Sequence, residues 1–286
     1  MNDLSNPVKI RGLMSRHGFK LSKSLGQNFI TDPGICPQIA ELGGACKNVC
    51  ALEIGPGIGV LTAELAKRCD KVAAIELDKR LLPVLGETLA EYDNAEIIRG
   101  DVLKTDLAAL IQEKFPGRRV IVCANLPYYI TSPVIMRLLE SRLPVESVTV
   151  MVQKEAALRI CAPIPSRQMG AVTVAVRWYS EPELLFEVPA SSFMPPPDVT
   201  SAVIRLDVRS EPPVTVTDEA MFFKVVKAAF SQRRKTLLNC LAAGFSLDKS
   251  KVSELLSKAG VPANARAEQL TLEEFAAVAD RFAAGD

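Results

Sequence analysis

The stretch that most narrows the fold is Val49-Cys50-Ala51-Leu52-Glu53-Ile54, which runs into Gly55-Pro56-Gly57-Ile58-Gly59. A short apolar run of this kind reads as a strand buried on both faces, and such strands belong to parallel sheets covered by helices. From Val60 to Arg68 the period changes, and Leu61, Leu65 and Ala66 fall on one face at helical spacing. The intervening glycines let the backbone turn tightly and come close to a ligand.

Strand, glycine turn and helix in that order open a Rossmann-like, nucleotide-binding unit. Val72-Ala73-Ala74-Ile75 is a second buried strand ending in Glu76, 21 residues after Gly55. An acid at that spacing is placed to accept hydrogen bonds from ribose hydroxyls. Ile97-Ile98 makes a short third strand before Gly100-Asp101, and a helix is expected near Leu107 to Lys114. A fourth strand, Val120 to Ala124, then leads into Asn125-Leu126-Pro127-Tyr128. Gly55, Glu76, Asp101 and Asn125 thus stand at the carboxyl ends of four successive strands, where open α/β sheets bind ligands. The glycine pattern is G-x-G-x-G rather than G-x-G-x-x-G, and by itself it leaves a nicotinamide-dependent dehydrogenase open.

The Asn125 turn has the chemistry of a site. Asparagine carries an acceptor and two donors at fixed reach. Proline pins φ and biases its predecessor towards an extended backbone. Tyr128 offers a flat face on which a base can stack.

Composition removes several classes of chemistry. His17 is the only histidine, so a Ser-His-Asp triad or a His-rich metal site is excluded unless His17 belongs to it. In its basic surroundings His17 reads as solvated. Seven scattered cysteines, without a Cys-x-x-Cys, read as free and mostly buried thiols rather than disulfides or zinc ligands, and no metal is expected. An apolar content of 48% with 23% charged residues belongs to an ordinary globular protein. The apolar runs are too short for a membrane span, and Met1 to Lys9 lacks the apolar core of a signal peptide, so a cytoplasmic protein is expected. Net charge is only +1, and nucleic-acid binding must rest on local clusters.

The flanking segments supply two such clusters. Residues 1–24 hold Lys9, Arg11, Arg16, Lys20 and Lys23 against Asp3, and read as a mobile basic arm with few apolar anchors. Between Lys224 and Lys258 lie eight basic residues and two acidic ones, Arg233, Arg234 and Lys235 among the former. Around them Met221, Phe222, Val225, Val226, Ala229 and Phe230 repeat at helical spacing, with further helices expected at about Ser250 to Ala259 and Thr271 to Phe282. A basic helical module makes a reasonable phosphate-contacting surface.

Between these ends, Thr31 or Asp32 before Pro33 reads as the N-cap of a helix. A helix from about Ser132 to Ser141, a strand over Val148 to Val152 and a helix opening at Gln153-Lys154-Glu155 follow. Gly170 to Tyr179 is expected to be a sixth strand, because its β-branched residues alternate loosely. Prolines make Ser191 to Val199 a stiff extended loop presenting Phe193, and Ser201 to Val208 alternates as the last strand. Glu211-Pro212-Pro213 marks a linker. Three domains result: a basic arm (1–24), a Rossmann-like α/β domain (25–210) and a C-terminal helical domain (211–286).

From Leu25 to about Phe282 the chain resembles the small-subunit ribosomal RNA adenine N6,N6-dimethyltransferases. The residues carrying the likeness are Leu25-Gly-Gln-Asn-Phe29, Glu53-Ile-Gly-Pro-Gly57, Glu76-Leu-Asp78, Gly100-Asp101, Asn125-Leu-Pro-Tyr128, Phe193-Met-Pro-Pro-Pro197 with Ser201-Ala-Val203, and Phe230-Ser-Gln-Arg-Arg-Lys-Thr236. The resemblance implies an α/β, Rossmann-like methyltransferase fold with a mostly parallel seven-stranded sheet and a small all-α C-terminal domain. It implies S-adenosylmethionine as methyl donor, S-adenosylhomocysteine as product, and two adjacent adenosines of 16S rRNA, within a pre-ribosomal 30S particle, as target. Asn28 and Ile30 would close over the cofactor, Gly55 would line its methionine end, Glu76 would bind the ribose and Asp101 the adenine amino group. Asn125 and the Leu126 carbonyl would hold the target amino group, with Tyr128 and Phe193 on the two faces of the base. Arg233, Arg234 and Lys235 would meet RNA, and a monomer is expected. The alternatives are a large-subunit rRNA methyltransferase of the macrolide-resistance type and a non-catalytic ribosome assembly factor.

Overall fold

A computed structural model of the chain describes residues 4–19 and 26–285. Lys20, Lys23 and Leu25 lie outside them. The chain divides into two compact units, Met1–Ala157 with Glu181–Val208, and Leu158–Ser180 with Arg209–Asp286.

In chain order the elements are α1 (Pro7–Arg16), β1 (Phe29–Ile30), α2 (Ile35–Leu42), β2 (Val49–Ile54), α3 (Val60–Ala66), β3 (Lys71–Glu76), α4 (Leu82–Thr88), β4 (Ala95–Arg99), α5 (Leu107–Lys114), β5 (Arg119–Asn125), α6 (Thr131–Glu140) and β6 (Ser147–Gln153). Then come α7 (Lys154–Ile160), α8 (Ala171–Tyr179), β7 (Ser180–Val188), β8 (Phe193–Met194) and β9 (Ser201–Val208). The chain closes with α9 (Glu219–Ala229), α10 (Leu237–Phe245), α11 (Lys249–Lys258) and α12 (Leu272–Ala284).

The first unit is built on a seven-stranded sheet of order β4-β3-β2-β5-β6-β9-β7. The strands from β4 through β6 are parallel, and β9 runs antiparallel to β6. Every residue of β2 is buried, as its near-continuous apolar run requires of a sheet covered on both faces. Strand order reverses between β2 and β5, which places the switch-point crevice between Gly55 and Asn125. Gly59 opens α3 with φ of +89°, and a Cβ there would lie 3.0 Å from a Leu89 methyl, so only glycine suits the position.

The described part of the N-terminal arm is not a mobile tail. Asn6 accepts the Val8 N–H at 2.8 Å, Pro7 occupies the first helical turn, and α1 forms. Its Ile10 and Leu13 pack with Phe19, Phe29, Ile58, Leu81 and Leu85 in one core cluster. His17 is not simply solvated either: its Nε2 lies 2.6 Å from Glu87. A later start than expected is seen in α2, because Asp32 Oδ1 takes the Gly34 N–H at 2.9 Å and forms a turn ahead of the first helical residue, Ile35.

Residues 171–179 form α8, not the sixth strand. Thr173, Val174, Val176 and Trp178 are buried at helical spacing, and Thr173 Oγ1 caps the Gly170 N–H at 2.9 Å. The strand expected there is the next segment, β7, on the far side of β9 from β6. The Phe193 loop also carries regular structure, because Phe193–Met194 pairs antiparallel with Phe29–Ile30.

The second unit is helical. Trp178 of α8 lies with its ring 4.4 Å from that of Phe222 of α9, and both belong to a core that includes Leu241, Leu256 and Phe275. Asp218 caps α9 through the Met221 N–H, and Thr271 and Glu274 cap α12 reciprocally. The added helix of this unit, α10, was hidden in the sequence behind the basic turn at 231–236. Among the described residues no helix is long and apolar enough to cross a membrane. Cys36, Cys50, Cys69, Cys123 and Cys240 are buried free thiols, whereas Cys46 is exposed. No cluster of metal ligands occurs among the described residues.

Candidate active site

A cavity of about 350 Å³ opens at the switch point. The carboxyl end of β2 contributes Glu53 and Gly55, that of β3 Glu76, the turn after β4 Asp101, and that of β5 Asn125, Leu126 and Tyr128. The paired segments β1 and β8 add Ile30 and Phe193, with Asn28 beside them. Nine residues singled out from sequence therefore share one cavity: Asn28, Ile30, Gly55, Glu76, Asp101, Asn125, Leu126, Tyr128 and Phe193. Arg233, Arg234 and Lys235 do not line it; they are exposed in the turn between α9 and α10 of the helical unit.

Glu76 is buried at the mouth of the glycine turn. Its Oε1 accepts the Asp78 N–H at 2.7 Å and its Oε2 the Gly57 N–H at 3.4 Å. Burial pushes its carboxyl above the usual range, against the pull of those two N–H groups. Gly57 has φ of +61°, and a Cβ there would lie 3.3 Å from the Phe29 ring, so the turn and β1 fit together only through a glycine. Asp78 is held down to about 2, chiefly by the Arg80 side chain, and it also accepts from Gln27 Nε2 at 3.0 Å. Asp101 Oδ1 takes the Leu103 N–H at 3.0 Å, which fixes its carboxylate at the strand end.

Tyr128 begins a short 3-10 turn behind Pro127 and is half-buried, while its neighbour Tyr129 is 58% exposed. Phe193 is 5% exposed and belongs to the core cluster that holds Ile30, so it walls the cavity as a fixed ring. Gly26 lies over the turn, its Cβ position 3.2 Å from Pro127.

Glu53 was not singled out as a site residue in the sequence. It is 1% exposed, its Oε2 has no hydrogen-bond partner among the described residues, and it faces the cavity. Burial raises its carboxyl to about 8, and the negative charge of Glu76 adds to the effect. The signal was present: a charged residue inside an otherwise apolar strand. Three carboxyl groups, Glu53, Glu76 and Asp101, line the cavity, and no Lys, Arg or His lines it among the described residues. The site suits a ligand that carries positive charge, hydroxyls and amino groups, and offers no cationic side chain to a pyrophosphate.

The sheet order and this set of side chains at its switch point define a Rossmann-like methyltransferase. The pattern of the ribosomal RNA adenine dimethylase family matches residues 18–284, and the chain belongs to that family. It is 48% identical over 284 residues, 99% of both chains, to the ribosomal RNA small subunit methyltransferase A of Alkaliphilus oremlandii (strain OhILAs). Identity to the protein of the same name from Bacillus licheniformis is 46% over 284 residues, covering 98% of this chain and 97% of that one. Among solved structures, a dimethyladenosine transferase from Plasmodium falciparum superposes with a TM-score of 0.72 at 25% identity, covering 87% of this chain and 95% of that one. A 23S rRNA methyltransferase, ErmE, superposes with a TM-score of 0.68 at 27% identity over 88% of this chain and 98% of that one. The chain is thus an enzyme of adenine dimethylation in ribosomal RNA.

Proposed function

We propose that the protein transfers methyl groups from S-adenosylmethionine to N6 of two adjacent adenosines of small-subunit (16S) rRNA, giving N6,N6-dimethyladenosines during small-subunit biogenesis. The observation that carries this reading is one cavity in which three carboxyl groups and no cationic side chain meet the Asn125-Leu126-Pro127-Tyr128 turn. The near-full-length relatives named for the small subunit support that choice of RNA over the large-subunit alternative, whose structural likeness comes at 27% identity.

The cavity fits S-adenosylmethionine in the chemistry of its donors. Glu76, held by two N–H groups, keeps lone pairs for ribose hydroxyls. Asp101 accepts from the adenine amino group, and Gly55 leaves room for the methionine end. Glu53, held protonated by burial, adds an unpaired buried carboxyl oxygen to the cavity wall. Asn28 and Ile30 close the site on the β1 side and exclude water. When bound, the cofactor supplies an electrophilic methyl group on a sulfonium.

The chain's own task is to aim a poor nucleophile. The lone pair of an exocyclic adenine nitrogen is delocalised into the ring. The Asn125 side-chain oxygen and the Leu126 carbonyl accept from its two N–H groups, which favours a pyramidal nitrogen with its lone pair directed into the cavity. This is catalysis by positioning and electrostatics, and it needs no histidine base. Tyr128 and Phe193 stack on the extruded base from its two faces. The second transfer requires the same pocket to accept a nitrogen already bearing one methyl.

Exposed Arg233, Arg234 and Lys235 neutralise RNA phosphates, and the target is a splayed single-stranded loop within a pre-ribosomal 30S particle. In this reading the protein acts as a monomer in the cytoplasm. Incubating purified small and large subunits with labelled S-adenosylmethionine tests it: label enters small-subunit rRNA, whereas label confined to the large subunit overturns the choice of RNA.

A further inference from the structure

Ser201 is the first residue of β9, and it is fully buried. Because β9 runs antiparallel to β6, its first residue lies at the end of the sheet where β5 and β6 finish. Asn125 pairs with Met151, Met151 with Val203, and Gln153 with Ser201. The backbone just before it is fixed as well, since the Lys154 N–H donates to the Thr200 carbonyl at 3.0 Å. A buried hydroxyl is costly unless it is bonded, and this one shares a hydrogen bond with the Tyr128 hydroxyl at 2.6 Å. Ser201 itself does not line the cavity; Tyr128 does.

We infer that Ser201 is a positioning residue for methyl transfer: its hydroxyl anchors the Tyr128 ring so that the target adenine stacks in one orientation. The inference rests on the proposed stacking role of Tyr128. That ring keeps few freedoms. Pro127, with φ of −55°, fixes the chain immediately before Tyr128. The Ser201 contact fixes the opposite end of the ring, on a strand held in register by β6. Two fixed ends define the ring axis, leaving only rotation about it, and a tyrosine ring otherwise turns in a broad well. Whichever hydroxyl donates, a phenolic oxygen bonds best near the plane of its ring, so a stationary partner such as Ser201 Oγ also favours one ring plane. Stacking on an unanchored ring would let the adenine rock, and the aim of its amino group at Asn125 would be lost in proportion.

The anchor should act on the transfer step and not on the cofactor, because Ser201 bonds Tyr128 and does not itself line the cavity that holds Glu76 and Asp101. The test compares wild type, Ser201→Ala, Tyr128→Phe, the double variant and Tyr128→Ala on small-subunit particles from cells lacking the enzyme. Turnover is measured at saturating particle, and cofactor affinity by calorimetry. Each of Ser201→Ala and Tyr128→Phe should lower kcat about 3- to 10-fold, the range expected for one hydrogen bond. The double variant should be no slower than either single one, because both remove the same bond. Cofactor affinity should stay unchanged in Ser201→Ala, Tyr128→Phe and the double variant, and Ser201→Thr, which keeps a hydroxyl, should recover turnover relative to Ser201→Ala. Independent, multiplying losses in the double variant would overturn the inference, as would wild-type turnover in Ser201→Ala. Tyr128→Ala separates the two claims: if it abolishes transfer while Ser201→Ala is normal, the anchor alone fails. Normal turnover in Tyr128→Ala overturns the stacking role and the anchor together.

Discussion

Gln27 reaches across to Asp78 and donates its side-chain amide at 3.0 Å, while the Asp78 N–H donates to Glu76 at 2.7 Å. The segment that leads into β1 is therefore tied to the turn that orients the carboxyl at the cavity mouth. Gln27→Ala should weaken S-adenosylmethionine binding about 3- to 10-fold, one hydrogen bond's worth, through loss of closure over the site. Calorimetry measures it. An unchanged affinity would mean that this segment closes by its Phe29 and Ile30 packing alone.

Asn125 stands at the end of β5 facing the cavity, and it is the only side-chain amide in the Asn125-Leu126-Pro127-Tyr128 turn. Asn125→Ala should abolish methylation, by a factor of 100 or more on the order of a lost oxyanion-type contact, and leave particle binding intact. Turnover within a few-fold of wild type would remove the amide from the mechanism.

Glu53 is a buried carboxyl whose folded-state value is raised from the ordinary 4.5 to about 8. Below about 4.5 both folded and unfolded chains hold its proton. Between that pH and about 8 the unfolded chain gives the proton up while the folded chain keeps it, so the group's contribution to stability falls as pH rises. Glu53→Gln removes this titration. Its melting temperature relative to wild type should therefore climb from pH 5 to about pH 8. Parallel melting curves across that range would show that Glu53 is ionised in the folded protein.

Arg233, Arg234 and Lys235 are exposed, and Arg233 is steadied by a 3.1 Å hydrogen bond to the Arg167 carbonyl of the same unit. Replacing any one with alanine should weaken particle binding at low salt. Each should also reduce the slope of log affinity against log salt by about 1. Cofactor binding should not change. A salt slope that ignores all three substitutions would place the RNA elsewhere on the surface.

The core of the fold was readable because a doubly covered parallel sheet writes itself as apolar runs, and β2, β3, β5 and β6 are of that kind. Gly55, Glu76, Asp101 and Asn125 could be located for the same reason, since each marks where a run stops. Ala171 to Tyr179 misled because its β-branched residues imitate a strand, and only the packing of Trp178 and Val174 shows the helical face. Its neighbour β7 escaped because Pro182 and three glutamates interrupt the strand signal. α1 was concealed by polar residues, although Asn6-Pro7 is an N-cap pattern. Long-range pairings stayed out of reach: nothing local in the sequence joins Tyr128 to Ser201, or Gln27 to Asp78.

The Asn125 turn is proposed to direct methyl groups to N6 of two adjacent adenosines in small-subunit rRNA. Mapping N6-methylated adenosines by mass spectrometry, in rRNA from cells with the protein, without it, and with Asn125→Ala in its place, tests this. Two neighbouring N6,N6-dimethyladenosines of 16S rRNA should be present in the first case and missing in the other two. A 16S rRNA unchanged in all three, with the loss confined to 23S rRNA, would contradict it.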